Sequence, residues 1–382
     1  MPNLLDQLQN LEPAGSRGIG VDANSTNPDN LAELLDSVLD SLNALRVENH
    51  RSVVVVTNSK PGEINASITQ SALQGIVGSA ALEFAKHGGR ANLLVVDESN
   101  SESDLERALR YLDDESAAGF TTGNTIDLRE SLNRSTSANA VVVTGGAGGL
   151  GFAAAQEFRK AGYRVILSDL AGERLSRAGE ALGAEVIAAD LGNEMDISNL
   201  MNQLTKRGDL RALVLHHGVG GSTWLGDEFD VKTANRSISV NGISFIKTLE
   251  QFAKSELSRN VSIVCLSSIA GLVAEAGHSA YSAPKFAVVE AARQMKKQFA
   301  SRNTTINTLC PGPIRTALME QAFAGLAKGQ GLDPEEFTRD RLSNIPLGDA
   351  GTPEQVGKSA VFLVETSATG LELAPTGGEV LV

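Results

Sequence analysis

The sequence predicts an α/β protein, a doubly wound parallel sheet with helices on both faces, preceded by a smaller and degenerate α/β unit. Three observations predict it. From residue 138 onward the short β-branched runs AVVVT, RVILSD, EVIAAD, ALVLHH, VSIVCLSS and TINTLCP alternate with helix-length segments. A glycine-rich turn, TGGAGGLG (144–151), follows the first of these runs. Ahead of residue 130, strand and helix patterns repeat part of what comes later.

In the front unit RGIGVDA (17–23) reads as a strand. The following segment places Leu31, Leu34, Leu35, Val38, Leu39, Leu42 and Leu45 on one helical stripe, with Asn27 as cap and Pro28 in the first turn. SVVVVTN (52–58) reads as a buried strand, 68–87 as a helix rich in small residues, and ANLLVVDE (91–98) as the next strand. The polar stretch ESLNRSTSA (130–138) marks a junction, giving domains at 1–130 and 138–382 joined by a linker at 131–137.

The two parts share a repeat. EFAKHGGRANLL (83–94) aligns without gaps to QFASRNTTINTL (298–309) at an offset of 215, pairing Asn92 with Asn307 and Leu94 with Leu309. Upstream, RSVVVVTNS (51–59) matches NVSIVCLSS (260–268) at 209, which makes the front copy 6 residues shorter between strand and helix. ALRYLDDESAAGFTTG (108–123) resembles AVFLVETSATGLELA (360–374), a helix running into a last strand. The front unit therefore copies only the later half of the back one and has no glycine turn. Where YSAPK (281–285) carries Tyr281 and Lys285, the front copy ASITQ (66–70) carries Ala66 and Gln70, so it is expected to be non-catalytic.

The balance of 33 Lys+Arg against 46 Asp+Glu, a net charge of −13, argues against nucleic acid or an anionic membrane as the main partner. Cys265 and Cys310 both lie in apolar strand-like runs and read as buried, reduced thiols of a cytoplasmic protein. The start, MPNLLDQLQNLEP, shows neither basic cluster nor long apolar run, so no leader or membrane span is expected.

Gly145, Gly149 and Gly151 are spaced to let backbone N–H groups and a helix N-terminus approach a pyrophosphate. Asp169 ends the second strand, where a carboxylate accepts both ribose hydroxyls and repels a 2′-phosphate, which favours NAD(H) over NADP(H). No cation lies in the glycine turn, though Arg174 follows five residues after Asp169. Asp190 is placed either to meet the adenine or to cap a helix. Tyr281 and Lys285 share a helical face, and a nearby ammonium lowers a phenol toward the neutral range, making Tyr281 a general acid/base. Ser268 can donate a hydrogen bond to a carbonyl oxygen. No carboxylate or thiol joins His216 and His217 in a ligand set, so no metal is expected.

Together these motifs make residues 138–382 resemble a short-chain dehydrogenase/reductase, with its Rossmann-type fold. The resemblance implies a tetrad of Asn241, which holds a proton-relay water, Ser268, Tyr281 and Lys285. It assigns the cofactor to Thr144, Gly145, Gly149, Leu150, Gly151, Asp169, Asp190, Leu191, Gly218, Tyr281, Lys285, Pro311, Gly312, Ile314 and Thr316. The family's NNAG is here Leu215-His216-His217-Gly218, which keeps only the glycine. The layout resembles the two-domain, high-molecular-weight β-ketoacyl-ACP reductases, whose front domain is flavodoxin-like. The activity so implied is NADH-dependent reduction of a 3-ketoacyl thioester on ACP or CoA. A secondary-alcohol or hydroxysteroid dehydrogenase is the alternative, and a non-catalytic scaffold suits the front domain alone. That front domain is expected to act as a built-in partner, so that a homodimer imitates a family tetramer. Residues 317–345 read as two surface helices forming a cover, with Met319, Phe323, Leu326 and Phe337 lining a substrate pocket opposite Trp224 and near His278. PTGGEVLV (375–382) reads as a final strand.

Overall fold

The computed structural model describes residues 16–47, 52–134, 136–221, 223–226 and 229–382, so the expectation about a leader lies outside the described residues. The front part contains β1 (Ser16–Asp22), α1 (Leu31–Val47), β2 (Ser52–Asn58), α2 (Ile64–Ala85), β3 (Arg90–Val96), α3 (Glu102–Asp113), α4 (Glu115–Ala118) and β4 (Thr125–Asp127). The rest follows as β5 (Ala140–Thr144), α5 (Gly149–Lys160), β6 (Arg164–Asp169), α6 (Glu173–Leu182), β7 (Glu185–Ala188), α7 (Glu194–Arg207) and β8 (Leu210–Leu215). Next come α8 (Val231–Ile238), a π-turn (Ser239–Ile243), α9 (Ser244–Lys254), β9 (Ser262–Leu266), α10 (Ser279–Ala300) and β10 (Thr305–Leu309). The chain closes with α11 (Ala317–Gln330), α12 (Pro334–Ser343), α13 (Pro353–Glu365) and β11 (Glu372–Leu373).

Two parallel sheets result, one ordered β1-β2-β3-β4 and the other β11-β10-β9-β8-β5-β6-β7. The second reverses direction between β5 and β8, the switch point where doubly wound sheets open a crevice. Because parallel strands are covered on both faces, they read as continuous apolar runs, and β2 and β5 are buried throughout. Asn27 Oδ1 accepts the N–H groups of Asp29 and Asn30 at 2.9 and 3.2 Å, the expected cap, while α2 starts four residues before the expected 68. One apolar core runs through both sheets. It joins Val54, Val56 and Leu94 to Val143, Val264 and Leu309 by way of α3 and α13, where Tyr111 stacks on Phe362 at 4.4 Å.

Sheet register refines the repeat. Val54 lies across from Asn92, as Val264 lies across from Asn307. The offset is therefore 210, and Asn58 rather than Ser59 matches Ser268. Parity decides this: Val54, Val56, Val264 and Leu266 all face the shared core, and a slip of one residue would turn them to the other face. Asn92 Oδ1 accepts the Asn124 N–H at 3.0 Å, and Asn307 Oδ1 accepts the Leu371 N–H at 2.9 Å. The same residue thus secures the same crossing in each copy.

The final segment departs from expectation. Gly377 and Gly378 take φ of 67° and 89°, left-handed values that stop an extended chain, so 375–382 is not a strand and the last one is β11. Val382 instead bonds the backbone of Gly123 and Thr125 in the front part. Asn124 joins the sheets as well, its side chain accepting the Ala374 N–H at 2.8 Å and donating to the Ala374 carbonyl at 2.9 Å.

Candidate active site

The C-terminal ends of β5, β6, β8, β9 and β10 deliver most of the expected site residues to one rim. At Gly145, φ is 64°, and a Cβ there would stand 2.6 Å from His217 Cα. Only glycine brings the turn this close to β8, leaving bare backbone at the start of α5 with Gly149, Leu150 and Gly151. Asp169 faces that turn, its Oδ2 accepting the Ala147 N–H at 2.9 Å and its Oδ1 the Leu170 N–H at 2.8 Å. This cradle of glycine backbone, helix N-terminus and carboxylate fits a dinucleotide. Arg174, which no cation motif signals, reaches the same turn: its Nε donates to the Ala147 carbonyl at 3.2 Å.

Asp190 does not cap a helix. Its Oδ1 accepts the Gly192 N–H at 2.9 Å and shapes the turn, Asn193 caps α7, and Leu191 is buried beside them. On the far side, the Pro311 carbonyl accepts the Ile269 N–H, and Gly312 bonds Pro375. Ile314 bridges to Gly351, and the Thr316 hydroxyl caps α11 by accepting the Met319 N–H at 3.3 Å.

The tetrad converges. A Cβ on Gly218 would stand 3.2 Å from Asn241 Oδ1 and 3.9 Å from Lys285 Nζ. Asn241, fully buried in the π-turn, is held by both backbone groups of Val219, at 2.8 and 2.9 Å. Lys285 Nζ donates to the Leu266 carbonyl at 3.2 Å and stands 5.7 Å from the Tyr281 ring centroid. Burial lowers this ammonium to about 8. The Tyr281 phenol departs from expectation, for burial raises it and the hydrogen bond from Ser268 is the opposing influence. Lys285 lies over the face of the ring and is not among the influences on the phenol, so desolvation prevails.

The LHHG departure has a structural account. His217 bridges β5 to α9, with Thr144 Oγ1 2.8 Å from Nδ1 and Ser244 Oγ 2.8 Å from Nε2, and it stacks on Phe245. Burial lowers His217 to about 3 and His216 to about 4, so both are neutral. At His216 the Leu150 backbone opposes that lowering without reversing it. No three potential metal ligands gather among the described residues. Both cysteines are buried, and desolvation pushes each thiol up to about 12.

Around the pocket, Trp224 packs on Gly277 and Gly329, a clamp that the sequence signals only by two scattered glycines. A Cβ at Gly277 would also meet Leu326 at 2.8 Å. Phe323 is buried edge-on against Phe337. His278 Nδ1 lies 3.0 Å from Glu275, which in turn pairs with Arg341 of α12, and its ring centroid is 5.8 Å from that of Tyr281.

A doubly wound sheet whose rim gathers serine, tyrosine and lysine beside a glycine turn defines an oxidoreductase fold and site. The profile of the family described as "Enoyl-(Acyl carrier protein) reductase" matches residues 145–378, and the chain belongs to the short-chain dehydrogenase/reductase family. Among relatives, an "Inactive 2-(S)-hydroxypropyl-CoM dehydrogenase 2" from Xanthobacter autotrophicus is 32% identical, covering 57% of this chain and 96% of its own. A "3-oxoacyl-[acyl-carrier-protein] reductase FabG" from Rickettsia prowazekii is 28% identical, covering 63% and 96%. In fold, an actinorhodin polyketide ketoreductase with NADPH matches 64% of this chain and 98% of its own, at TM-score 0.59 and 21% identity. Levodione reductase matches the same share at 22% identity and the same TM-score.

Proposed function

We propose that the protein is an NADH-dependent reductase of 3-oxoacyl thioesters. The convergence of Ser268, Tyr281, Lys285 and Asn241 beside the glycine turn carries this reading. Thr144 to Gly151, Asp169, Asp190, Leu191, Gly218, Tyr281, Lys285 and Pro311 to Thr316 would hold the dinucleotide, whose nicotinamide supplies a hydride when bound. Ser268 and Tyr281 donate hydrogen bonds to the ketone oxygen, and Tyr281 passes its proton to the alkoxide as it forms. A phenol raised by its surroundings stays protonated at neutral pH, which supports reduction as the working direction. Asp169 at the ribose position supports NADH.

One observation favours a second reading. An acidic carrier protein would need free cations to receive it, yet among Arg315, Lys328, Arg339 and Arg341, Arg315 is paired with Asp349, and Arg341 with Glu275 and Glu379. Lys328 and Arg339 remain exposed. This supports a secondary-alcohol or hydroxysteroid dehydrogenase, whose substrates carry no anionic carrier, and a relative from Mus musculus is named "L-fucose dehydrogenase". The test is a panel of acetoacetyl-CoA, acetoacetyl-ACP and simple secondary alcohols with NADH or NADPH (NAD⁺ or NADP⁺ for the alcohols). Turnover of acetoacetyl-CoA with NADH supports the first reading, and turnover confined to alcohols rejects it.

Residues 1–130 are read as a non-catalytic domain, 131–137 as a linker and 138–382 as the catalytic domain. The packing of α3 on α13 supports a role for the front domain as an internal partner and a homodimer as the assembly. Light scattering that gave a tetramer of full chains would reject it.

A further inference from the structure

Phe120, in the front part, packs behind the loop 311–316 that the proposed function assigns to the dinucleotide. Its side chain is 4% exposed. A Cβ at Gly351 would stand 2.5 Å from its ring and 2.7 Å from Ile314 Cδ1. A Cβ at Gly377 would stand 3.0 Å from Phe120 Cζ and 2.6 Å from Ile345 Cγ2. Two glycines of the back part thus leave a slot of the ring's size, and the Phe120 carbonyl locks the entry by accepting the Gly377 N–H at 2.9 Å. Gly351 in turn holds the loop: its N–H bonds the Pro313 carbonyl at 2.9 Å and its carbonyl accepts the Arg315 N–H at 3.0 Å. Ring, Gly351 and 313–315 therefore form one packed stack behind Thr316.

We infer that Phe120 is a positioning residue, a wedge from the front domain that fixes segment 311–316 and so sets dinucleotide affinity. The inference rests on the dinucleotide reading above. A cavity of phenyl size behind the loop lets Gly351 and its two hydrogen bonds shift, and ordering the loop then opposes binding.

The test uses the full chain as Phe120→Ala, Phe120→Leu and, as a control for the interface elsewhere, Tyr111→Ala. NADH affinity is measured by fluorescence titration, kinetics by the KM and kcat split, and loop order by hydrogen exchange at Arg315 and Gly351. Phe120→Ala is expected to weaken NADH binding about tenfold, raise the dinucleotide KM more than it lowers kcat, and speed exchange at both amides. Phe120→Leu is expected to restore most of each effect, and Tyr111→Ala to lower the melting temperature without moving affinity or those amides. Equal NADH affinity and equal exchange in folded Phe120→Ala would overturn the inference, as would the same affinity loss in Tyr111→Ala. Where Phe120→Ala does not fold, Phe120→Val, which leaves much of the ring's volume empty, decides by the same readouts: weaker NADH binding with faster exchange at both amides supports the inference, and wild-type values of both overturn it. If the wild type binds no dinucleotide, the proposed function fails, and the exchange rates still decide whether Phe120 holds the loop.

Discussion

Lys285 Nζ stands 5.7 Å from the centre of the Tyr281 ring and 5.3 Å from that of Phe245, so the ammonium lies between two aromatic faces. It is 2% exposed, and its hydrogen bond runs to the Leu266 carbonyl. Charge in such a place is costly, so the position opposes stability, in keeping with the role in the site proposed for Lys285.

Tyr281→Phe removes the proposed proton donor and keeps the ring. Turnover of the best substrate in the panel is expected to fall by about 10²–10⁴, while NADH still binds in fluorescence titration. Retained turnover would reject the mechanism.

Lys285→Met tests the cost of burial. The folded ammonium titrates near 8 and the unfolded one near its usual value of 10.5. The penalty is therefore fully present below pH 8 and disappears as pH rises from there toward the unfolded value. The variant is expected to lose activity yet gain stability at pH 7, by on the order of 3 kcal/mol at most, less the lost hydrogen bond. Urea midpoints at pH 7 and pH 10 check this. The gain should shrink at the higher pH, and a variant less stable at pH 7 than at pH 10 relative to wild type contradicts the assignment.

The neutral histidines make the protein acid-sensitive. His216 and His217 resist protonation to about 4 and about 3, whereas unfolded imidazoles take a proton near 6.5. Stability from this source is present above pH 6.5 and drains as pH falls, at about 1.4 kcal/mol per pH unit for each residue. Urea midpoints between pH 7 and 5 should drop steeply in the wild type and less steeply in His216→Gln/His217→Gln. Equal slopes would exclude both residues as the source.

Asp169 and Arg174 both bond Ala147 in the glycine turn, and replacing each tests the proposed preference between dinucleotides. Asp169→Ala is expected to weaken NADH by about tenfold, while Arg174→Ala, which removes the cation beside the turn, should weaken NADPH more than NADH. Paired titrations with the two dinucleotides measure it. An Arg174→Ala protein that loses NADH binding alone would show that the guanidinium serves the turn itself.

The placement of the back part's expected site residues was legible because strand-end residues sit at fixed distances from their strands: Asp169, Ser268 and the Tyr281–Lys285 pair need only strand and helix periodicity to be placed. Arg174 and His217 were less so. Each acts across a tertiary contact, Arg174 to Ala147 and His217 to Thr144 and Ser244, which no local pattern encodes. The repeat was visible through Asn92 and Asn307, but its register erred by one residue because valines on both faces of a buried strand look alike. The protonation of Tyr281 was misjudged for a related reason: helical spacing tells that Lys285 shares its face, not whether the ammonium meets the hydroxyl or the ring.

A side-chain amide has the donor and acceptor of a peptide group, and at Asn124 it is used as one, engaging both polar atoms of Ala374. The smaller sheet thereby treats the larger as an adjoining strand without any continuous backbone between them. Any exchange of front halves between such chains carries a requirement at this joint: an aspartate in that position still accepts the Ala374 N–H but leaves its carbonyl unanswered, and a leucine leaves both unanswered.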